Sequence, residues 1–382
     1  MATEYNDQDK ETIRIKGITA IPIVREVGPT FRRNGYDPVS QLYFYSETPY
    51  NRPKQKGDDD TLKLAVVQVL KPFASCNFDP LSRANLLYCL LSIVTRHILG
   101  KCLLFVLDGS DNESAKSVAR AIQFVAQQGE DIVTLPQSQS KLDKHILARL
   151  GQGVPTLAFS NCPNTNVSPI IQNILDGLLD GEPIKVIPLL VGSNVTIAKD
   201  HCEKTLTIHV PNSLENFHHT TKSRIRMRVA LLHIFKKYQR QARQKRQASG
   251  DDNRQIVLSL QNKLQDWELP QYELADPWDT FEQNVRDYQA DETALVTALY
   301  GLYRNTEFST EQLMADRYTP EGCYYDDKQG LRSALCDALR KCCDSKHNSV
   351  VGKYLSGKLN GKTYQVDQLT VKFTVTQNIA RG

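Results

Sequence analysis

The sequence of 382 residues is short of several things at once. It has no uninterrupted apolar run of the roughly 18 residues that a transmembrane helix needs, so no membrane span or membrane partner is expected. The first stretch, "MATEYNDQDKETIRIKG", is polar and mixed in charge and lacks the apolar core of a secretory signal, which predicts a cytoplasmic chain. The nine cysteines are scattered and odd in number, and no C-x-x-C occurs, which argues against a disulfide framework and a structural zinc site. Most are expected to be buried thiols. There is no internal repeat of fixed period. What remains, 40% apolar and 24% charged residues, is the composition of a globular chain long enough for two or three domains.

Apolar runs alternate with helical patterns through the middle of the chain. "LLFVL", "DIVTLP", "VPTLAFSN", "KVIPLLVGSN" and "TLTIHV" read as strands. Between them, helical spacing covers 61–75, 81–98, about 114–128, "SKLDKHILARL" and "SPIIQNILDGLL", and Asp-Pro-Leu-Ser at 79–82 suits a helix start. Such alternation predicts a parallel sheet flanked by helices, with any site at the carboxyl ends of its strands. Before it, 1–60 reads as an extension with short strands, "ITAIPIV" and "LYFY", and a polar loop, "NRPKQKGDDD". After it, 249–277 reads as a linker that opens on the exposed loop "QASGDDNRQ". Helices follow from about 278 to 343, and the tail reads as helix, turn and two strands joined through "VDQL".

One strand-to-helix junction invites a chemical reading. A phosphate loop, G-x-x-x-x-G-K-[ST], uses its glycines to converge backbone N–H groups on phosphate oxygens, its Lys to neutralise charge and its hydroxyl to hold magnesium. Here "SDNESAKS" keeps Lys116 and Ser117, but Ser110 and Ala115 replace the glycines, and Asp111 and Glu113 place negative charge where phosphates would lie. The strand "TLAFSN" ends in Ser160 and Asn161 rather than in the acid that would orient magnesium and the attacking water. Taken alone, the stretch reads as a helix-capping loop more readily than as a nucleotide site.

These segments together resemble the ATPase and helicase-like proteins of phages, plasmids and integrated mobile elements, often attached to primases and built on an AAA+-type core. The resemblance runs from about 17 to 375, through "VGPTFRRNGYDPVSQLYFY", "LFVLDGSDNESAKS", "KLDKHILARLGQGVPTLAFSN", "VIPLLVGSNVTIAKDHCEKTLTIHV" and "VVGKYLSGKLNGKTYQV". It implies a Gly-Lys-[Ser/Thr] loop, an Asp-Asn pair, a Gly-Asn sensor and an Arg pair. At those positions this chain has Ala115-Lys116-Ser117, Ser160-Asn161, Gly192-Ser193-Asn194 and Glu203-Lys204. The departures fall on the groups that perform hydrolysis. The implied fold class is α/β: an AAA+-like parallel sheet flanked by helices over 61–248, then a helical, winged-helix-like domain over 278–382. No cofactor is required by this pattern; weakly held ATP with magnesium, on Lys116, Ser117, Ser193 and Asn194, is the one it leaves open.

Charge points to a second kind of partner. Residues 222–246 hold ten Lys or Arg and no acid, along an apolar stripe through Ile225, Leu232 and Phe235. Lys236, Lys237, Arg240, Arg243, Lys245 and Arg246 are candidate phosphate contacts to nucleic acid, and Phe235 and Tyr238 read as packing groups. In the tail, Lys353, Lys358 and Lys362, with Tyr354 and Tyr364, could set a recognition helix and wing on a duplex, although winged helices also bind proteins. His218 and His219 lack further ligands and read as an ordinary loop. The favoured expectation is a non-hydrolysing AAA+ relative that binds nucleic acid or a replication or mobile-element protein. The alternatives are an active ATPase or helicase-type motor with an atypical loop, and a protein-only scaffold in a mobile-element or anti-phage complex. A homo-oligomer is open in each case.

Overall fold

The computed structural model describes residues 15, 17–25, 30–47, 49–50, 59–98, 103–126, 132–135, 138–151, 154–160, 186–195, 197, 199–244, 252–304, 306–318, 329–342, 348–366 and 369–375. The helix expected at "SPIIQNILDGLL" lies outside the described residues.

Five parallel strands form the central sheet: β4 (Leu104–Gly109), β5 (Ile132–Thr134), β6 (Thr156–Ser160), β7 (Ile187–Gly192) and β8 (Thr205–Val210). Their order is β5-β6-β7-β4-β8, so β4, the first of the five in sequence, sits between β7 and β8. All residues of β6 and β7 are buried, as expected for strands covered on both faces, and this is why they read as unbroken apolar runs. Ahead of the sheet, β1 (Gly17–Thr19), β2 (Gly35–Asp37) and β3 (Leu42–Phe44) make a small mixed sheet. The strand expected over "ITAIPIV" is confined to Gly17–Thr19, with a single bridge from Ile23 to Phe31.

Helix α1 (Asp59–Leu70) passes into a 3-10 turn, Lys71–Cys76, because Pro72 removes an N–H from the α-helical ladder. Helix α2 (Pro80–Thr95) begins as its sequence predicts: Asp79 accepts from the Ser82 N–H at 2.8 Å, with Pro80 behind it. From Ala84 to Thr95 every residue of α2 is buried, which makes it the central helix of the main core. Helices α3 (Asn112–Ala126), α4 (Gln139–Gly151) and α5 (Thr221–Gln244) also contribute residues to the main core.

The expected linker is instead part of the core. Helix α6 (Asp252–Asp266) buries Ile256, Val257, Leu260 and Leu264, and Asn253 Nδ2 donates to Ser92 Oγ at 3.2 Å and Thr95 Oγ1 at 3.1 Å on α2. A polar, Gly- and Asp-containing approach masks this short apolar period in the sequence. The expected boundary at 278 also falls inside packed structure, since Trp278 lies 5.9 Å from Tyr88 of α2.

Helix α7 (Asp279–Tyr303) leaves the core and enters a second hydrophobic cluster, which begins at Leu295. That cluster gathers α8 (Thr310–Tyr318), α9 (Gln329–Cys342), α10 (Asn348–Tyr354) and the antiparallel hairpin β9 (Thr363–Val366) and β10 (Leu369–Lys372). The two strands joined through "VDQL" are thus present.

The outer edge of β8 is closed by side chains. Asn284 Nδ2 donates to Thr205 O at 3.0 Å, Asn85 Nδ2 to Thr207 O at 2.7 Å, and the His209 N–H donates to Ser82 Oγ at 3.0 Å. An open strand edge is a template for unwanted pairing, and here α2 and α7 occupy it. Asn284→Ala leaves the Thr205 carbonyl buried without this donor and should cost about 1–3 kcal/mol in urea unfolding, well above an exposed control on the same helix such as Gln289→Ala.

The carboxyl ends of the sheet as a candidate functional site

The junction after β4 is short. β4 ends at Gly109 and α3 begins at Asn112, so only Ser110 and Asp111 lie between them. Gly109 makes this possible: a Cβ there would stand 2.3 Å from Asp111 O and 2.8 Å from Ala115 N. Ser110 is held to the sheet by its N–H to Val210 O at 3.0 Å and its hydroxyl to Pro211 O at 2.9 Å.

Asp111 then caps α3. Its Oδ1 accepts the N–H groups of Glu113 and Ser114, both at 2.8 Å, and its Oδ2 accepts the Ser114 hydroxyl at 2.8 Å. The Ser114 N–H and hydroxyl hold this carboxyl below its usual range. These first-turn N–H groups carry the positive end of the helix dipole, and the chain's own carboxylate occupies them.

Helix α3 starts two residues earlier than the periodicity predicts, so Lys116 and Ser117 lie past its first turn. Lys116 Nζ is 2.9 Å from Glu113 Oε1, whose other oxygen lies 3.7 Å from Arg120 Nη1. Ser117 Oγ donates to Ser114 O at 2.7 Å and accepts the Leu214 N–H at 2.8 Å. As folded, the junction is a closed helix cap, with its lysine ion-paired and its hydroxyl built into the loop after β8.

The other residues compared with the ATPase pattern are divided between the two ends of the sheet: Ser160, Ser193 and Asn194 lie at the carboxyl end with the junction, whereas Glu203 and Lys204 precede β8 at the opposite end. Ser160 is the buried last residue of β6, and Asn161 lies outside the described residues. Ser193 and Asn194 follow β7, Asn194 exposed and with φ of 56°. Their loop is tied to β4 by the Val195 N–H, which donates to Asp108 Oδ1 at 3.0 Å. Glu203 and Lys204 are exposed in the turn before β8.

Sequence reasoning missed Asp108 itself and its neighbour in register on β8, His209. Asp108 Oδ2 lies 3.4 Å from His209 Nδ1. The available signal was a charged or titratable residue one position before the end of each of two strands, "VLDG" and "TIHV".

The basic helix is divided by its packing. Arg228 is buried and donates from Nε to Val125 O at 2.6 Å and from Nη2 to Ala126 O at 2.8 Å, capping the C-terminus of α3. Arg224 is buried too, with its guanidinium 5.4 Å from the Phe124 ring centre. Ile225 and Val229 pack on the small N-terminal sheet, and Leu232, Phe235 and Tyr238 are buried in the main core. Lys222 and Arg226 are exposed, and Lys236 and Lys237 half-buried. Arg240 and Arg243 occupy the last turns of α5, while Lys245 and Arg246 lie outside the described residues. His219, in the loop before α5, sets its ring edge-on to Phe124 and Phe217, at 5.0 and 4.9 Å.

In the tail, Lys353 and Lys358 are exposed. Lys362 is in an ion pair: its Nζ lies 3.1 and 3.0 Å from the two oxygens of Glu292, a buried residue of α7. Tyr364 is also buried, with its hydroxyl 3.4 Å from Glu292 Oε2. These two residues fasten the hairpin to α7.

The described residues thus define an α/β protein with a five-stranded, all-parallel sheet, an arrangement consistent with a Rossmann-like or AAA-like core. No helix among them is long and apolar enough to cross a membrane, and no group of three His, Cys, Asp or Glu among them is placed to hold a metal ion. No family model, curated protein or solved structure matches the chain.

Proposed function

We propose that this chain is a cytoplasmic, catalytically degenerate AAA+-type ATPase relative that serves as a nucleic-acid-binding accessory protein in mobile-element or phage replication. The observation that carries the non-hydrolysing part is the Asp111 cap: the N–H groups that would face a phosphate already bind a carboxylate. A nucleotide would have to displace Asp111, separate Lys116 from Glu113 and release Ser117 from Leu214. Uncharged Ser160 at the end of β6 and acidic Glu203 before β8 point the same way, because magnesium positioning and transition-state charge stabilisation call for the opposite chemistry.

The nucleic-acid part rests on the density of Lys and Arg toward the C-terminal end of α5. The candidate contacts are Lys236, Lys237, Arg240, Arg243, Lys245 and Arg246, joined by Lys353 and Lys358 in a tail read as winged-helix-like; Arg224 and Arg228, turned into the fold, are not among them. Lys362 is reassigned to fold stability by its pairing with Glu292. Contacts of this kind neutralise phosphates without reading bases.

Fluorescence anisotropy on labelled single-stranded and duplex DNA and RNA tests this part. Reversing Lys236 and Lys237 to Glu should weaken binding at least about tenfold and flatten its salt dependence. Affinity that is insensitive to salt and to this reversal would favour the protein-only scaffold.

A further inference from the structure

The small N-terminal sheet turns an aromatic face to solvent. Of the six exposed large hydrophobic residues among the described residues, four, Ile15, Ile18, Val39 and Tyr45, lie in its strands or within two residues of them. The strands alternate in burial. Leu42 and Phe44 are buried in the cluster against which Ile225 and Val229 of α5 pack, and Thr19, beside Phe44 in register, is buried as well. The residues between them face the other way: Ile18 and Tyr45 are each 53% exposed, and Tyr43 is half-buried.

Register sets these residues in one row. Ile18 of β1 stands opposite Tyr43 of β3, and Tyr43 stands opposite the half-buried Tyr36 of β2. Neighbouring strands lie about 4.8 Å apart, so the row is continuous across all three. Tyr45, two residues on from Tyr43, shares its face. Its N–H donates to Thr19 O at 3.0 Å. Beside it the Ser46 N–H donates to Asn34 Oδ1 at 2.8 Å, and Asn34 Nδ2 donates to Ser46 O at 3.0 Å, which extends the β2–β3 pairing and braces the platform.

Size and charge select the occupant. Three strands of three residues present a face of roughly 10 by 14 Å, enough for one or two flat rings, whereas a stable protein interface buries roughly 800 Å² per partner. Of the two acids in 30–47, Asp37 is buried in its pair with Arg25, so Arg32, half-buried, and Arg33, exposed, outweigh Glu47. We propose that Ile18, Tyr36, Tyr43 and Tyr45 form a stacking platform for the bases of single-stranded nucleic acid, with Arg33, just ahead of β2, taking a backbone phosphate. Such a platform rests on the nucleic-acid reading above and restricts it to unpaired strands, whose base faces are free to stack.

Photocrosslinking of the unaltered full chain to a thiouridine-substituted oligouridylate, mapped by mass spectrometry, tests the platform without any substitution. Crosslinks should fall on Tyr36, Tyr43 or Tyr45. In anisotropy with the same strand, alone and as a duplex with oligoadenylate, Tyr43→Ala with Tyr45→Ala should weaken single-strand binding at least about fivefold and leave duplex binding within about twofold. The salt slope should not change, since no phosphate contact is lost, and Tyr43→Phe with Tyr45→Phe should keep the affinity. Crosslinks confined to other parts of the chain overturn the platform, as does an alanine variant with the parent's circular dichroism that binds the single strand unchanged. The nucleic-acid reading survives either result if binding still falls when Lys236 and Lys237 are reversed to Glu. Absence of any nucleic-acid binding overturns both, and self-association lost in the alanine variant while single-strand affinity stays would assign this face to a second copy of the chain instead.

Discussion

Gly109→Ala should lower the stability of the full chain by about 3 kcal/mol in urea unfolding, the upper end of what overpacking usually costs. The added methyl would meet Asp111 O at 2.3 Å and Ala115 N at 2.8 Å, both backbone atoms that cannot swing aside as a side chain would. To relieve the contact, the Ser110-Asp111 turn must open, and with it the cap on α3. Gly330→Ala is the matched control, because a Cβ there meets nothing within 4 Å and α9 accepts alanine readily. It should leave the midpoint unchanged or raise it. Equal losses for the two variants would remove the steric account of this junction.

Arg228→Met should cost about 3 kcal/mol, and Arg228→Lys should recover little of it. The guanidinium makes four contacts at once: Val125 O, Ala126 O, the Tyr50 hydroxyl at 2.6 Å and Ala20 O at 3.2 Å. Methionine fills much of the volume but leaves the last carbonyls of α3 and the Tyr50 hydroxyl without their donor, at the cost of lost charge-assisted hydrogen bonds. Lysine keeps the charge, yet an ammonium cannot span the same fork of acceptors. The loss should appear in thermal or urea unfolding while nucleic-acid affinity of the folded protein stays within about twofold, because Arg228 is buried. A large affinity loss without a stability loss would contradict its role as a buried cap.

These two residues show where the sequence was legible and where it was not. Strand alternation, the Asp79-Pro80 helix start and the closing hairpin follow from local rules of periodicity, capping and turns, and the structure has all three. The parallel sheet follows from the same alternation. Residue type alone hides the tertiary use of a charge. Lys362 read as a cation facing a partner, whereas its position pairs it with the buried Glu292, and nothing in the basic run marked Arg224 and Arg228 as the two that turn inward, to a ring contact and a helix C-cap. Asp111 read as a charge in the way of a phosphate, and it is the group that replaces one. Helix α6 was hidden because its apolar period begins only at Ile256, behind a polar approach. The Asp108–His209 pair required the strand order, since nothing local indicates that residues a hundred positions apart stand side by side.

The central claim is that the β4–α3 junction is closed by its own carboxylate, and calorimetric titration of the full chain with ATP and magnesium tests it most directly. The account predicts no saturable heat up to millimolar ATP, and the same flat trace for Lys116→Ala. Saturable binding that disappears in Lys116→Ala, with phosphate released on turnover, would contradict it and establish an active site built on an atypical loop.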